Sequence, residues 1–310
     1  MLLEKLTKHT GLSHKQLEWY ALTASKRYKS YQIPKRSGGF RTIHQPSKAL
    51  KSIQRWINVN LLKLLPVHES ATAYKKGASV RLNAIRHINS NYTLRVDFRD
   101  FFPSFKSKHV TAFLRRQREA RGLILSDRDI QFICYIVARN GELTIGAPSS
   151  PLLTNAMMFD FDTTVDKWCS TNQMIYTRYA DDIFISTSYP QQLENALQML
   201  QQIVANFDYS SLEINKDKTR FLSRKHRRAV TGLVITTDRK LSIGRERKHS
   251  LKSDVYKFAR NMLPAEDWGR LAGMVAYASD ADPDFYKILI KKYGATTMED
   301  IKFLRGIEPR

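Results

Sequence analysis

Two adjacent carboxylates, Asp181 and Asp182, stand between two short runs of strand-forming residues, Tyr176 to Tyr179 and Ile183 to Thr187. Aromatic, Thr and Ile residues flanking Ala180-Asp181-Asp182 read as a β-hairpin whose tip carries both acids. Two unit charges about 4 Å apart repel by about 4 kcal/mol at an effective dielectric near 20, so such a tip calls for cations. A second strand-like run, Thr93 to Phe98, carries Asp97 near its end. If the two strands lie side by side, Asp97, Asp181 and Asp182 converge on one face. Three hard oxygen donors suit Mg2+ or Mn2+, which keep waters and take up substrate phosphates. Two such ions about 3.5 to 4 Å apart activate an attacking hydroxyl and stabilise a leaving pyrophosphate, so the chemistry indicated is nucleotidyl transfer.

The remaining chain must position these acids. Residues 1–31 read as helical, with Ser13 as N-cap of a run from Lys15 to Arg27. Pro34 to Pro46 reads as a basic β-hairpin turning at Gly38-Gly39, and Ser47 to Leu65 as a helix ended by Pro66. Residues 108–139 are expected to be mostly helical, with Arg115, Arg116, Arg118 and Arg121 facing solvent or nucleic acid. The run Gly146-Ala147-Pro148-Ser149-Ser150-Pro151 reads as a turn with Ser149 or Ser150 capping a buried helix that reaches Trp168. Gln191 to Phe207 is amphipathic, Val230 to Ile235 reads as a strand, and helical stretches follow over Lys248 to Met262, Asp267 to Tyr277 and Asp284 to Lys292.

Charge selects the class of partner. The 310 residues hold 51 Lys and Arg against 29 Asp and Glu, a formal charge of +22. Residues 1–96 alone carry 18 basic residues against 3 acidic ones, so the N-terminal third supplies most of the attraction for a polyanion. No long apolar span or basic amphipathic helix with a clean apolar face favours a membrane partner. The opening MLLEKLTKHTG has Glu4 and Lys5 breaking any apolar region, so a cytoplasmic protein is expected. Cys134 and Cys169 lack any metal-site or disulfide spacing. Arg224, Lys225, Arg227 and Arg228 form a basic cluster suited to backbone phosphates.

Several motifs together carry a family resemblance. Tyr179-Ala180-Asp181-Asp182 resembles the YxDD box of reverse transcriptases, and Asp97 with Phe101-Phe102-Pro103-Ser104 resembles their first palm motif. The Gly146 to Pro151 turn resembles the motif that opens the palm helix in bacterial members. Asn83-Ala84-Ile85-Arg86-His87 and Val230-Thr231-Gly232 are similar to the NAxxH and VTG signatures of retron reverse transcriptases. The resemblance spans roughly residues 35–250.

That resemblance implies an α+β right-hand polymerase of fingers, palm and thumb, its antiparallel palm sheet backed by helices. N-terminal helices and fingers would occupy 1–95, the palm 96–240 with part of the fingers at 106–144, and a helical thumb 241–310. It implies two Mg2+ ions at Asp97, Asp181 and Asp182, with Mn2+ possible. Lys218, or alternatively Lys216, would protonate the departing pyrophosphate. Lys35 or Arg36, then Arg41, would hold the triphosphate of a dNTP, with Gly146 at the same pocket. Phe102 would exclude a 2′-hydroxyl. Ile145 stands where the family commonly has Gln. Tyr179, Arg86, Thr231 and Gly232, with the basic cluster, would meet nucleic acid; His87 is expected in a structural or RNA-contacting role.

The implied reaction is RNA-templated DNA synthesis on a cognate structured noncoding RNA (msr-msd), begun from a guanosine 2′-hydroxyl and yielding branched msDNA. A separate antiphage effector and host RNase H for template removal are implied partners. The alternatives are another bacterial reverse transcriptase, such as a group II intron type, or an RNA-binding scaffold that restrains an effector.

Overall fold

A computed structural model describes residues 2–35, 38–225 and 227–304. Helices α1 (Leu2–Thr10) and α2 (His14–Leu22) open the chain. Ser13 and Gln16 cap α2 reciprocally, each side chain accepting from the other's amide. Helix does not continue to residue 31. Tyr28 begins β1 (Tyr28–Pro34), which pairs antiparallel with β2 (Phe40–Pro46), Tyr31 facing Ile43 and Ile33 facing Arg41. Tyr31 and Ile33 alternate with Ser30 and Gln32, a strand period that the helical reading overlooked. Next come α3 (Lys48–Asn60), capped by Ser47, and α4 (Val80–Arg86), capped by Ser79.

The central sheet grows from β3 (Tyr92–Arg99). Helices α5 (Ser107–Arg121), α6 (Asp127–Val137), α7 (Ser150–Met157) and α8 (Phe159–Thr171) precede the hairpin β4 (Ile175–Tyr179) and β5 (Asp182–Thr187). Helix α9 (Gln192–Ala205) and short strands β6 (Glu213–Ile214) and β7 (Arg220–Ser223) complete the unit. The strand order is β4-β5-β3-β6, with β7 also paired to β3, and every pairing is antiparallel. One sheet face, through Leu94, Val96, Phe98, Ile183 and Ile185, packs with Leu153, Phe161, Val165, Leu193 and Leu200 of the helices. Each such buried side chain contributes about 1.5–3 kcal/mol of hydrophobic stabilisation. The helix expected through Trp168 breaks at Met158 into α7 and α8. Ser149 holds the N-cap position of α7 in helical backbone geometry but makes no side-chain cap bond, and the hydroxyls of Ser149 and Ser150 are both buried without a partner.

Arg115, Arg116 and Arg121 of α5 face solvent as expected, with Arg118 partly buried, and all four also make local bonds. Arg115 and Arg118 bond Asp127, Arg116 bonds Asp160 and Tyr209, and Arg121 bonds Gln117.

A second core lies C-terminal. Strands β8 (Arg228–Val230), β9 (Leu233–Ile235) and β10 (Leu241–Ser242) form a small sheet, followed by α10 (Arg245–Ala259), α11 (Trp268–Ala281), α12 (Pro283–Tyr293) and α13 (Ala295–Phe303). The single strand expected over 230–235 is a hairpin instead. Thr231 and Gly232 both take positive φ, +46° and +80°, which turns the chain in two residues. Val230, Leu233 and Ile235 pack on Leu251, Val255, Leu271 and Phe285, and the same cluster takes in Ala84 of α4 and Phe184 of β5. Helix α4 therefore ties the open face of the central sheet to the C-terminal helices. Among the described residues no helix is long and apolar enough to cross a membrane.

Candidate active site

Register performs the first step of assembly. Asp97 on β3 lies directly opposite Asp182 on β5, and Tyr179 flanks Asp182 from β4. Asp181 sits in the intervening turn, next to Ala180 at φ +59°. Strand side chains alternate faces, so Leu94, Val96 and Phe98 enter the core while Arg95 and Asp97 share the opposite face.

Two cations meet these acids. Lys218 Nζ donates to Asp97 Oδ1 at 2.9 Å. Its short turn is docked by the Asn215 amide, which donates to the Asp97 carbonyl at 2.8 Å. Arg95 donates from Nε and Nη2 to Asp182 Oδ1 at 3.1 and 2.9 Å. Burial raises the pKa of Asp181, and the charges of Asp182 and Asp97 raise it further. Burial raises Asp182 as well, against the lowering pull of Arg95. Among the described residues, no group of three His, Cys, Asp or Glu side chains is gathered closely enough to hold a metal ion as it stands. The donor chemistry nevertheless fits a divalent cation: hard carboxylate oxygens share a sheet face, and two of them already draw positively charged side chains.

Beneath the turn lies a buried ionic network that the sequence reading missed. Arg178 has no exposed surface; its Nε and Nη2 donate to Asp162 Oδ1 and Oδ2 at 2.8 and 2.6 Å. Tyr176 donates its hydroxyl to Asp162 Oδ1 at 2.7 Å. Arg178 Nη1 reaches Asn155 Oδ1 at 3.2 Å and the Ala180 carbonyl at 3.1 Å, gripping the turn that carries the acids. Burial opposes the charge on Arg178, but Asp162 carries its pKa above the ordinary guanidinium range. The available signal was period two: Arg178 faces the same side as the buried Tyr176, so a charge there had to be paired.

Of the residues expected at the triphosphate, Arg41 projects from β2, and Lys35 closes its hairpin by donating its amide to the Gly39 carbonyl at 2.9 Å. Arg36 lies outside the described residues. Phe101 is core at 5% exposure, while Phe102 is half-buried, its ring edge-on to Phe101 at 5.4 Å. Gly146 is required by packing: a Cβ would lie 2.7 Å from the His44 carbonyl oxygen and 3.0 Å from Ile43 Cγ2. The neighbouring Ile145 carbonyl accepts from the His44 amide at 2.9 Å, so this turn docks the β1–β2 hairpin.

Of the expected nucleic-acid contacts, Arg228 is corrected, and His87 takes the structural one of its two expected roles. His87 is fully buried, with Nδ1 2.7 Å from Ser186 Oγ and Nε2 2.7 Å from Thr177 Oγ1. Arg228 is 2% exposed and donates to the carbonyls of Ser90 and Ile88. A sequence run of basic residues hides which member a two-residue alternation turns inward. Arg86, Lys225 and Arg227 are exposed. Arg224 is exposed but tied to the Thr237 carbonyl and Asn91. Thr231 Oγ1 donates to the Val80 carbonyl at 3.0 Å, and the Gly232 carbonyl accepts from Arg247 at 2.9 Å. The two signature segments are thus parts of one clamp.

Burial pushes the His87 pKa down to about 3. The unfolded imidazole gains its proton below about pH 6.5, whereas the folded one stays neutral until far lower pH. Stability is therefore complete above that value and declines as pH falls toward the folded pKa, by up to about 1.4 kcal/mol per unit. Thermal melts at about pH 7.5 and about pH 5 should show a smaller loss for His87→Gln than for the unaltered chain. Equal losses would remove His87 from the acid sensitivity.

The chain matches the family model described as Reverse transcriptase (RNA-dependent DNA polymerase) over residues 33–235. It is 36% identical over 283 residues to the Retron Ec83 reverse transcriptase of Escherichia coli, covering 89% of each chain. Identity is 32% over 294 residues with the Retron Ec73 enzyme of Escherichia coli, covering 90% of each. With the Retron Ec86 enzyme of the same organism it is 30% over 310 residues, covering 97% of this chain and 93% of the relative. In fold alone the chain resembles apo telomerase from Candida tropicalis, at a TM-score of 0.55 and 12% identity, covering 91% of this chain and 58% of that one. Carboxylates on an antiparallel sheet backed by helices, and relatives aligned over most of its length, place the chain in a family that generally uses divalent metal ions. It belongs to the retron reverse transcriptases, RNA-directed DNA polymerases with the reverse transcriptase fold.

Proposed function

We propose that this polymerase copies its own structured noncoding RNA, starting from a guanosine 2′-hydroxyl and leaving branched msDNA, as part of an antiphage system with a separate effector. The observation that carries the catalytic part is the in-register pair Asp97 and Asp182 with Asp181 at the adjoining turn. Two Mg2+ ions, or Mn2+, held by these three acids would activate the attacking hydroxyl and stabilise charge on the leaving pyrophosphate. Arg41 and Lys35 receive the triphosphate, Arg41 as a planar fork of donors. Lys218 holds its proton beside Asp97 and gives it to the departing pyrophosphate, with Lys216 the alternative; such help is worth about 10² to 10⁴-fold. Exposed Arg86, Lys225 and Arg227 grip backbone phosphates. Host RNase H would remove copied template.

Phe102 forms the floor under the sugar. Phe102→Ala should raise rNTP use relative to dNTP by at least about tenfold in primer extension; unchanged selectivity would reduce Phe102 to a packing residue. The branched product is tested by expressing the chain with its native upstream DNA and running total nucleic acid on a denaturing gel. A discrete small DNA whose mobility shifts on debranching is expected. Its absence, alongside activity on an added RNA template and DNA primer, would leave the polymerase and remove msDNA.

A further inference from the structure

We infer that Arg95 and Arg220 are positioning residues, a seat for a backbone phosphate of the strand that carries the attacking hydroxyl. The inference rests on the polymerase reading above and deepens it. Sheet register makes the pair. Arg95 on β3 lies directly opposite Arg220 on β7, so both side chains leave the same face of the sheet. That face also bears Asp97, two residues along β3 from Arg95, and Asp182, to whose Oδ1 Arg95 donates twice. On its other flank Arg95 faces Phe184 of β5, which is fully buried in the cluster that holds Ala84 of α4. The sheet face is therefore covered on the β5 side, and the arginine pair opens toward β7, where Arg220 is exposed.

Like charges directly opposite one another destabilise a sheet. Asp182 answers Arg95, but Arg220 bonds only the carbonyl of its neighbour Thr219, at 2.8 Å, and forms no ion pair among the described residues. An exposed cation set against a second one, without an acid of its own, suits an anion that bridges both. Two planar guanidinium forks match a phosphate. Position along β3 chooses the strand. Phe102, the proposed sugar floor, follows the C-terminal end of β3. Beyond it the Phe105 carbonyl accepts from the Leu143 amide, two residues from the Ile145 carbonyl that docks the β1–β2 hairpin and its proposed triphosphate grip. Arg95 lies the other way along the strand, roughly 7 Å from the level of Asp97. In an in-line displacement the attacking and leaving oxygens stand on opposite sides of the α-phosphate. A triphosphate at one end of β3 thus brings the attacking strand in from the other, over Arg95 and Arg220. A phosphate held there sets how far its hydroxyl stands from the acids.

Neutral phosphate substitution tests the contact. A DNA primer annealed to an RNA template carries a methylphosphonate at one linkage at a time near its 3′ end, and affinity is measured without dNTP. For the unaltered chain, one linkage should cost about tenfold in affinity. Arg220→Met should lose about tenfold with the ordinary primer and nothing further at that linkage, and its salt slope should fall by about one. Arg95→Met should show its loss at the same linkage. Arg220→Lys should keep part of the affinity, since the charge remains without the fork. For Arg220→Met the KM for dNTP should stay within about twofold, and the melting temperature should not fall, because an opposition of like charges has been removed. An Arg220→Met chain that binds within about twofold of the unaltered one, or is equally sensitive at every linkage, would overturn the inference while leaving the polymerase intact. An unaltered chain without primer extension would instead bring down the polymerase reading itself.

Discussion

Replacing Asp181 and Asp182 together by Asn should abolish DNA synthesis, a loss of at least about a thousandfold in primer extension, while RNA affinity stays within about twofold. Charge stabilisation by bound metal is worth several kcal/mol, and each 1.36 kcal/mol is about tenfold in rate. RNA affinity is expected to draw on the excess of 51 Lys and Arg over 29 Asp and Glu rather than on these acids. The fold should survive, because burial and like-charge proximity already hold both carboxyls above their ordinary pKa range. Removing that repulsion costs little; the Arg95 pair that is lost has a guanidinium 41% exposed, where ion pairs contribute about 0–1 kcal/mol. Primer extension, filter binding and a melting curve on one preparation decide the matter. Synthesis above a few per cent of the unaltered level, about a thirtyfold loss or less, would take the turn out of the chemistry.

The largest effect on stability should come from Arg178→Met. It strands Asp162 as an uncompensated buried charge, which typically costs about 3–5 kcal/mol. A melting temperature lowered by about 10 °C is expected. Adding Asp162→Leu should recover most of that loss, because a buried ion pair is commonly replaceable by apolar side chains. Synthesis should not return with it. The Ala180 carbonyl and Asn155 lose their Arg178 contact in the double variant as in the single one, so the turn bearing Asp181 is no longer gripped. A stable double variant with full synthesis would show that Arg178 serves folding only.

Legibility in the sequence followed the range of the interactions. The β4–β5 hairpin, the strand bearing Asp97 and the amphipathic α9 were readable because period and turn chemistry are local. The boundary at Tyr28 and the turn inside Val230 to Ile235 were misread, since apolar residues in a short run do not reveal which of them pair across a turn. Arg228 looked like a ligand for nucleic acid, and His87 stayed open between a structural and an RNA-contacting role, because charge and motif do not report burial. Arg178, Asp162 and Arg95 went unnoticed for the converse reason: their partners lie 16 or 87 positions away along the chain.

The sequence by itself determined the chemistry: an acidic pair at a turn, a third acid on a separate strand, and a positive charge suited to a polyanion. Residue type and near-neighbour spacing are sufficient for that, because donor hardness and net charge belong to the side chains themselves. Tertiary structure alone decided how those groups are held. Antiparallel register sets Asp97 across from Asp182, buried Arg178 fixes the turn, and α4 with the residues that follow it joins the open sheet face to the C-terminal core, through Thr231 on Val80, His87 on Ser186 and Arg228 on Ile88. Each of these depends on long-range pairing and on exclusion of water, which no local pattern encodes.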